Sequence, residues 1–579
     1  MIHQSPIYKS LICKVRPHTL AASKLSVDKL IRFALCLVVL ATASFAGAWE
    51  QGKEAANNAN DDPVLQAMRT EMERSQTALK LGEMGPPYYI DYRVSDGTIY
   101  NAEAAYGALR SNTRFHSRLV RVVVRVGDYQ QDSFFGSGQG VIDFMSLDDD
   151  LVALRHQLWL ATDRAYKNAL EALTAKKAQL KQFTIDQPVD DFAKAEPIQS
   201  IQPLAKIEFD PDRWNKLLKS LSALFKNDPE VQYFDSSLQF SAVNRYFVNS
   251  EGTVIRGGQT IYEIAFAGST QAPDGMRLDR SHTAIANKMN ELPSEAELKA
   301  QATKLLGTFK ELRTAPVVAE EYHGPVLFSG DAASSVFATL VGENVLGRKP
   351  ELGQPARAAG AYGTNYKTRV LPEFLSVVDD PTIFALDGRP LLGGYTVDDE
   401  GVKAMRVSVI ENGRLLNYIM GREPIRDFPA SNGHGRARAP INGPGPSLGN
   451  MIVRSAHPVS PKELKERLIK LCQERDLPYG YYVETMGPSL TPRLLYKVWV
   501  KDGHEELVRG AAFGNLDTRS LRDNLIAAGD DVNIENLPLN IPHSIVNPSI
   551  LFDELEVKRA NARSDKLPDY AAPALTSSK

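Results

Sequence analysis

Between Arg118 and Val126 the chain alternates strictly, with Val120, Val122, Val124 and Val126 on one side and Arg121 and Arg125 on the other. A period of two with β-branched residues on one face is the pattern of a half-buried strand, so a sheet with one dry face is built in early. Tyr88 to Tyr92 reads as a second strand, and helical stretches flank the pair. Val64 to Leu81 is one, with Pro63 suited to its first turn. Asp148-Asp149-Asp150 opens another, running to about Phe183 and acidic at the end where the helix dipole favours anions. Thr184 to Pro203 reads as a loop and Trp214 to Phe225 as a short helix. Gln232 to Phe266 reads as strands about the turn Asn249-Ser-Glu-Gly252, and Ser294 to Arg313 as a further helix. This ordering implies an α+β domain.

From Gly324 onward strand signals dominate. Pro325 to Phe328 is a short strand and Asp331 to Val345 a helix. Leu375 to Val378, Val407 to Ile410 with Glu411-Asn-Gly413, and Tyr496 to Val500 with Lys501-Asp-Gly503 then read as strands and hairpins. The fold class expected is α+β, with a mixed N-terminal domain followed by a sheet-rich C-terminal one. Composition agrees: 579 residues at 43 % hydrophobic and 24 % charged exclude collagen-like, disordered and multi-span membrane chains.

Lys29 to Arg32 precede the apolar run Phe33 to Phe45, which exits through Ala46-Gly47-Ala48 ahead of Trp49. That is the pattern of a secretory signal peptide cleaved near Ala48. A transmembrane anchor needs about 20 apolar residues, more than this run offers. A lipoprotein signal at Cys36 is disfavoured by the bulky Leu35 before it. The polar stretch before Lys24 is long for a signal, which makes a start near Val27 an alternative. The expected organisation is a signal peptide over 1–48, a linker over 49–62, an N-terminal domain over 63–315, a C-terminal domain over 316–557 and a loose tail over 558–579. The expected location is periplasmic or secreted, with no membrane span after cleavage. Residues 1–48 carry six basic side chains against Asp28, so the rest of a chain of formal charge −3 is distinctly acidic. Nucleic acid, which needs a basic surface, is not an expected partner. Cys13 and Cys36 fall in the signal, leaving Cys472 alone on the amphipathic pattern Pro461 to Cys472 as an expected buried thiol.

Eight histidines follow the signal: His116, His156, His282, His323, His434, His457, His504 and His543. No two lie within a helical turn, whereas zinc sites of the HExxH or HExxxH type need two from one helix. His504-Glu505 begins such a motif, but Val508 and Arg509 stand where its second histidine belongs. Gly445-Pro-Ser447-Leu-Gly449 matches the nucleophile-elbow letters GxSxG, yet it follows the glycine-rich stretch Asn432 to Gly445, which reads as a flexible loop rather than a buried strand. Gly136-Ser-Gly138-Gln-Gly140 reads as a turn. The acidic pairs Asp379-Asp380 and Asp398-Asp399-Glu400 read as carboxylates capping strand ends, with calcium binding or acid–base roles as the alternative. Arg436 and Arg438, in the glycine-rich loop, could hold a peptide carboxylate while Asn442 fixes the loop's turn; a solvated loop is the alternative.

Several of these segments, taken in order, resemble the C-terminal region of the TldD/PmbA family: Leu375-Ser-Val-Val-Asp-Asp, Gly394-Tyr-Thr-Val-Asp-Asp-Glu-Gly401, Val409-Ile-Glu-Asn-Gly-Arg-Leu, Asn432-Gly-His-Gly-Arg-Ala-Arg-Ala-Pro, and Pro542 to Val557. In the N-terminal half mainly Val248-Asn-Ser-Glu-Gly252 carries it. The resemblance implies a proteolysis context. One branch of that family carries HExxxH and zinc on a helix after a short strand; the other, PmbA-like or TldE, lacks those ligands and pairs with the first. Here the corresponding segment, Gly324 to Glu343, contains no histidine. The zinc-free branch is therefore implied, with catalytic residues and metal ligands none and zinc only in a partner. That partner is an HExxxH-bearing TldD-like paralogue or a second copy, and an extended peptide is the substrate. A stand-alone peptide-binding or assembly module and a hydrolase with an unrecognised site remain the alternatives. N-terminal sequencing of protein recovered from the envelope or medium is expected to begin near Trp49; cytoplasmic retention with residues 24–48 intact excludes export.

Overall fold

The computed structural model describes residues 61–80, 85–183, 188–351, 354, 356–437, 443–538, 541–561, 564–570 and 573. The first part of this stretch is one strongly antiparallel sheet with helices laid along a single face. Helix α1 (Pro63–Ala78) leads into β1 (Tyr89–Ala105) and β2 (Ala108–Arg125), followed by β3 (Val141–Phe144) and the long α2 (Leu151–Leu180). After β4 (Gln199–Ile201) and α3 (Pro211–Ser222) come β5 (Tyr233–Asn249), β6 (Val254–Gln271), β7 (Arg277–Ala286) and α4 (Glu295–Thr314). The spatial order is β3-β2-β1-β5-β6-β4, with β7 also paired to β6.

Parity explains the layering. On β1 the even residues Ile90, Tyr92 and Val94 join a core with Val120, Val122, Leu154 and Leu158, which α1 and α2 cover. Further along the same strand Tyr100, Ala102 and Ala104 join Trp214, Leu218, Phe240, Phe266 and Phe309 under α3 and α4. Both helix pairs thus dry the same face, and the odd residues, among them Arg93, Arg245 and Phe247, point to the other. Arg93 pairs in register with Arg121 and Phe247, and Ser95 with Arg245, so the uncovered face is a field of arginines.

The strands around Val120 are longer than their pattern suggests. β1 and β2 form one hairpin turning at Tyr106 and Gly107, both at positive φ, where the sequence shows strands only over Tyr88 to Tyr92 and Arg118 to Val126. That stretch is polar because the outer part of β2, from Ala108 to His116, is exposed, and period-two burial is what makes a strand visible. The turn at Asn249 is as expected: its Oδ1 accepts from the amides of Glu251 and Thr253, and Gly252 takes φ 99°. Ser294 caps α4 in a reciprocal capping box with Glu297.

The second part is sheet-rich. Strand β8 (Tyr322–Phe328) runs into α5 (Gly330–Leu340), and two larger sheets close around that helix. In one, β8 lies between Tyr479–Gly487, which runs parallel, and Ile550–Arg559, which runs antiparallel. In the other, Leu375–Asp379 pairs with Val407–Glu411 and Asn450–Ser455, and the latter runs parallel to His543–Asn547. Their shared core holds Val326, Phe328, Val336, Phe337, Val377, Met451 and Ile545. Helix α6 (Pro461–Glu474) packs on the outer side of the β8 sheet through Leu464, Leu468 and Cys472, so the thiol is buried as its helical spacing implied. Lys558 and Arg559, expected in the tail, complete the last strand. The fold is α+β, as read from the sequence. From residue 61 the described residues form one compact unit, with Arg509 tying the two parts through its ion pair to Asp274 and its bond to the Ala315 carbonyl.

Candidate functional site

The uncovered arginine face of the first sheet is closed by a turn from the second part, Asp398-Asp399-Glu400-Gly401. Asp398 Oδ1 accepts from the amides of Glu400 at 2.9 Å and Val402 at 2.8 Å, and its Oδ2 from Gly435 at 2.8 Å. That is the turn-capping role expected of it. Gly401 is required here twice over: it takes φ 80°, and a Cβ on it would sit 2.9 Å from Thr253 and 3.0 Å from Phe247, against the end of the β5–β6 hairpin.

The next two carboxylates reach outward from the turn. Asp399 Oδ2 accepts from Arg436 Nε at 3.2 Å and the Ala437 amide at 2.8 Å, while its Oδ1 meets Arg245 Nη1 at 3.3 Å. Its backbone carbonyl accepts from Arg93, whose Nε is paired with Asp91 at 3.0 Å. Glu400 Oε2 accepts from the amide of Arg422 at 2.6 Å. Arg422 is wholly buried, bonded to Glu251 and the Ala193 carbonyl and stacked on Phe192.

Burial opposes ionisation in all three acids, and their neighbours decide the outcome. For Asp399 burial alone would raise the pKa, but Arg245 and Arg436 hold it below the usual carboxylate range. Asp398 lacks such help; burial and then the Glu400 charge push it up to about 8. Glu400 is raised too, burial outweighing the Arg422 amide and guanidinium. The Asp398/Glu400 pair therefore keeps a proton at neutral pH.

Beside this junction lies a cavity of about 430 Å³. Its floor is the arginine face of β1, β5 and β6, with Arg93, Ser95, Val243, Arg245 and Gln259; its opposite wall comes from Phe384, Tyr395, Thr396 and Asp399. Gln202 bridges the two walls by donating to the Thr396 hydroxyl at 3.2 Å. The volume falls in the range of about 300–1,000 Å³ usual for small-ligand sites.

Arg436 is not on a solvated loop. Gly435-Arg436 is a short strand paired with Gly445-Pro446, and the Arg436 guanidinium lies 4.1 Å over the Tyr395 ring with its charge on Asp399. The expectation of an exposed loop fails because Gly435 takes a position that no side chain could, its virtual Cβ falling 2.0 Å from Glu400 Oε2, and so the glycines here serve close packing. Arg438 and Asn442 lie outside the described residues. Ser447 does not meet a histidine in the way a nucleophile must: His434 turns Nε2 to Asp379 at 3.0 Å and Nδ1 to the Asn432 carbonyl at 2.9 Å, leaving neither nitrogen for the hydroxyl. Asp379 also accepts from the Gly449 amide, and Asp380 from Thr382, so this acidic pair caps turns. His504 is exposed and bonded to Asp502. Arg93, Arg245 and Arg422 escaped the sequence reading; the visible trace of Arg245 was its alternation with Val243 and Phe247 on one strand face.

Residues 321–559 match the model of the PmbA/TldA metallopeptidase C-terminal domain. The chain is 36 % identical over 87 residues to a metalloprotease of Methanocaldococcus jannaschii, covering 15 % of this chain and 18 % of that protein. It is 24 % identical over 132 residues to a metalloprotease of Archaeoglobus fulgidus, covering 22 % and 29 %. These matches span less than a third of either relative. The crystal structure of TldE from Thermococcus kodakarensis superposes with a TM-score of 0.55 at 12 % identity, covering 85 % of this chain and all of that one, which is a likeness of fold.

Two outcomes are expected at the junction. Arg436→Ala leaves the half-buried Asp399 with the Ala437 amide and its looser cation, Arg245, and should cost about 2 kcal/mol in a denaturant titration, well beyond the roughly 0.5 kcal/mol of an exposed loop residue. From the ordinary carboxylate range up to about 8, the folded chain holds a proton on the Asp398/Glu400 pair that the unfolded chain has released, so this pair's contribution to stability falls as pH rises through that window. Thermal melts of the Glu400→Gln variant should show a shallower fall over it than the wild type.

Proposed function

The C-terminal domain of this chain belongs to the TldD/PmbA metallopeptidase family, and from that premise we propose that the protein is a zinc-free member serving peptide processing as a subunit beside a zinc-bearing relative. The observation that carries the proposal is α5, the helix directly after β8, where the zinc-bearing branch would hold HExxxH. Its buried positions are Gly330, Ala332, Ala333, Ser334, Val336 and Phe337, and the Ser334 hydroxyl is spent on Asn547 at 2.7 Å. Methyl and phenyl groups offer zinc none of the N, S or O ligands it takes. Past its end, Glu343 is exposed and paired with Arg348. Among the described residues no three His, Cys, Asp or Glu side chains converge on a point where a metal could sit. Zinc therefore does not fit the residues of this helix.

In this reading the partner, an HExxxH-bearing TldD-like chain, carries the hydrolytic chemistry. This chain binds and orients an extended peptide. A second reading, a peptide-binding module without a protease partner, draws on the cavity beside Asp399, whose lining includes the amide side chains Gln202, Gln259 and Asn287. Export to the periplasm or medium belongs to the same proposal and rests on residues 29–48, which lie outside the described residues. Among the described residues no helix is long and apolar enough to cross a membrane.

Purified full-length protein should carry no stoichiometric zinc by elemental analysis and cleave no peptide alone. Mixed with an HExxxH-bearing relative encoded in the same genome, it should co-elute and raise that relative's peptide turnover. One tightly held zinc per chain overturns the zinc-free reading. Binding of peptides with no effect on any such relative favours the stand-alone module.

A further inference from the structure

The charges around the cavity are unevenly paired. Four cationic side chains line it: Arg93, Arg245, Arg256 and Lys288. Arg93 is matched by Asp91, Arg256 by Asp62 at 3.2 Å, and Lys288 reaches Glu291 at 3.5 Å on the exposed rim. Asp399 is left to serve both Arg245 and Arg436. Arg436 holds its half of that carboxylate together with the Ala437 amide, whereas Arg245 makes a single contact of 3.3 Å through Nη1; the Arg245 Nε and the Arg436 Nη1 are both buried without a partner among the described residues. The Arg245 side chain is 31 % exposed, against 6 % for Arg436, so it is the cation of this pair that solvent and ligand can reach. The other acid lining the cavity, Asp398, brings little negative charge at neutral pH because its pair with Glu400 retains a proton.

Arg245 is thus the loosely held cation of the cavity wall, its guanidinium engaged through one nitrogen. Just such a fork suits a carboxylate, which it can grip with two parallel N–H···O bonds. The remaining lining suits a peptide rather than a simple acid: Gln202, Gln259 and Asn287 offer amide donors and acceptors, with Val243 and Phe384 as apolar contacts. Resting on the peptide-processing reading, we infer that Arg245 anchors a carboxylate-binding site in this cavity, and that the ligand is a short extended peptide held by a free carboxylate. The cavity is too small for a folded partner, so the group bound is a chain end or an acidic side chain of a flexible segment.

The test is isothermal titration of the full chain with three ligand series: tetrapeptides with a free C-terminus and no acidic residue, the same peptides as C-terminal amides, and amidated peptides carrying one Glu. Glutarate serves as a carboxylate without a peptide. Free-acid or Glu-bearing peptides should bind about tenfold or more tightly than the neutral amides. Which of the two series binds identifies the source of the carboxylate. Arg245→Gln should abolish the difference and Arg245→Lys restore part of it, lysine keeping the charge without the fork. Thr396→Trp, which narrows the mouth from the opposite wall without touching the charges, should weaken every peptide and so guards against a folding defect in the Arg245 variants; circular dichroism melts accompany each protein. Equal binding of acids and amides, or wild-type affinity in Arg245→Gln, overturns the carboxylate site while leaving peptide processing standing. Arg245-dependent binding of glutarate with no binding of any peptide keeps the anion site and removes the peptide reading. Absence of binding throughout overturns the inference.

Discussion

Everything in this molecule that resembles a site depends on one half-buried carboxylate, Asp399. It is the common acceptor for a guanidinium from β5 and one from the short strand at Arg436, and its own carbonyl takes the β1 arginine. A sheet whose second face carries arginines cannot be covered by an ordinary apolar layer, because burying unpaired guanidinium groups costs several kcal/mol each. The cover must bring anions, and the turn Asp398 to Gly401 does so while Gly401 lets it approach the hairpin end closely. The two parts of the chain are fitted together by charge matching across this junction, with apolar packing elsewhere.

The sequence made the covered layers plain and the junction invisible, for a physical reason. Val120 to Val126, the helix opening at Ser294 and the amphipathic spacing around Cys472 are local patterns, and the structure uses each as read. The partners of Asp399 lie 154 and 306 residues away along the chain, at Arg245 and Arg93, and no window of sequence contains both sides of those contacts. The glycines between Asn432 and Gly445 misled for a related reason. Glycine permits both a mobile loop and close approach of backbone to a buried carboxylate, and only the packing around Glu400 distinguishes the two. The outer part of β2, from Ala108 to His116, was missed because its residues are wet on both faces, and a strand without a dry face leaves no periodic trace.

The acidic turn also gives a physical content to a family resemblance. Asp-Asp-Glu-Gly is the segment of this chain that most closely follows the TldD/PmbA pattern, and its four residues act separately. Asp398 caps the turn, Asp399 clamps the arginines, Glu400 holds the backbone of the buried Arg422, and Gly401 supplies a left-handed backbone against the neighbouring hairpin. Because the Asp399 clamp leaves Arg245 only loosely held, the same feature that closes the two parts together also leaves a cation facing the space between them.

The arrangement of the second part fixes the order in which it can be built. β8 is the first strand of its sheet to leave the ribosome, yet its neighbours are Tyr479–Gly487 and Ile550–Arg559, so it waits for more than the next hundred residues before either edge can pair. The parallel partner of Asn450–Ser455 likewise arrives only with His543–Asn547. Closing such distant pairs demands loop entropy before any contact rewards it, which makes folding slow and leaves apolar strands open in the meantime. The second part of a chain with this topology stays open until synthesis is nearly complete, after the hairpins of the first part have had all their pairing partners.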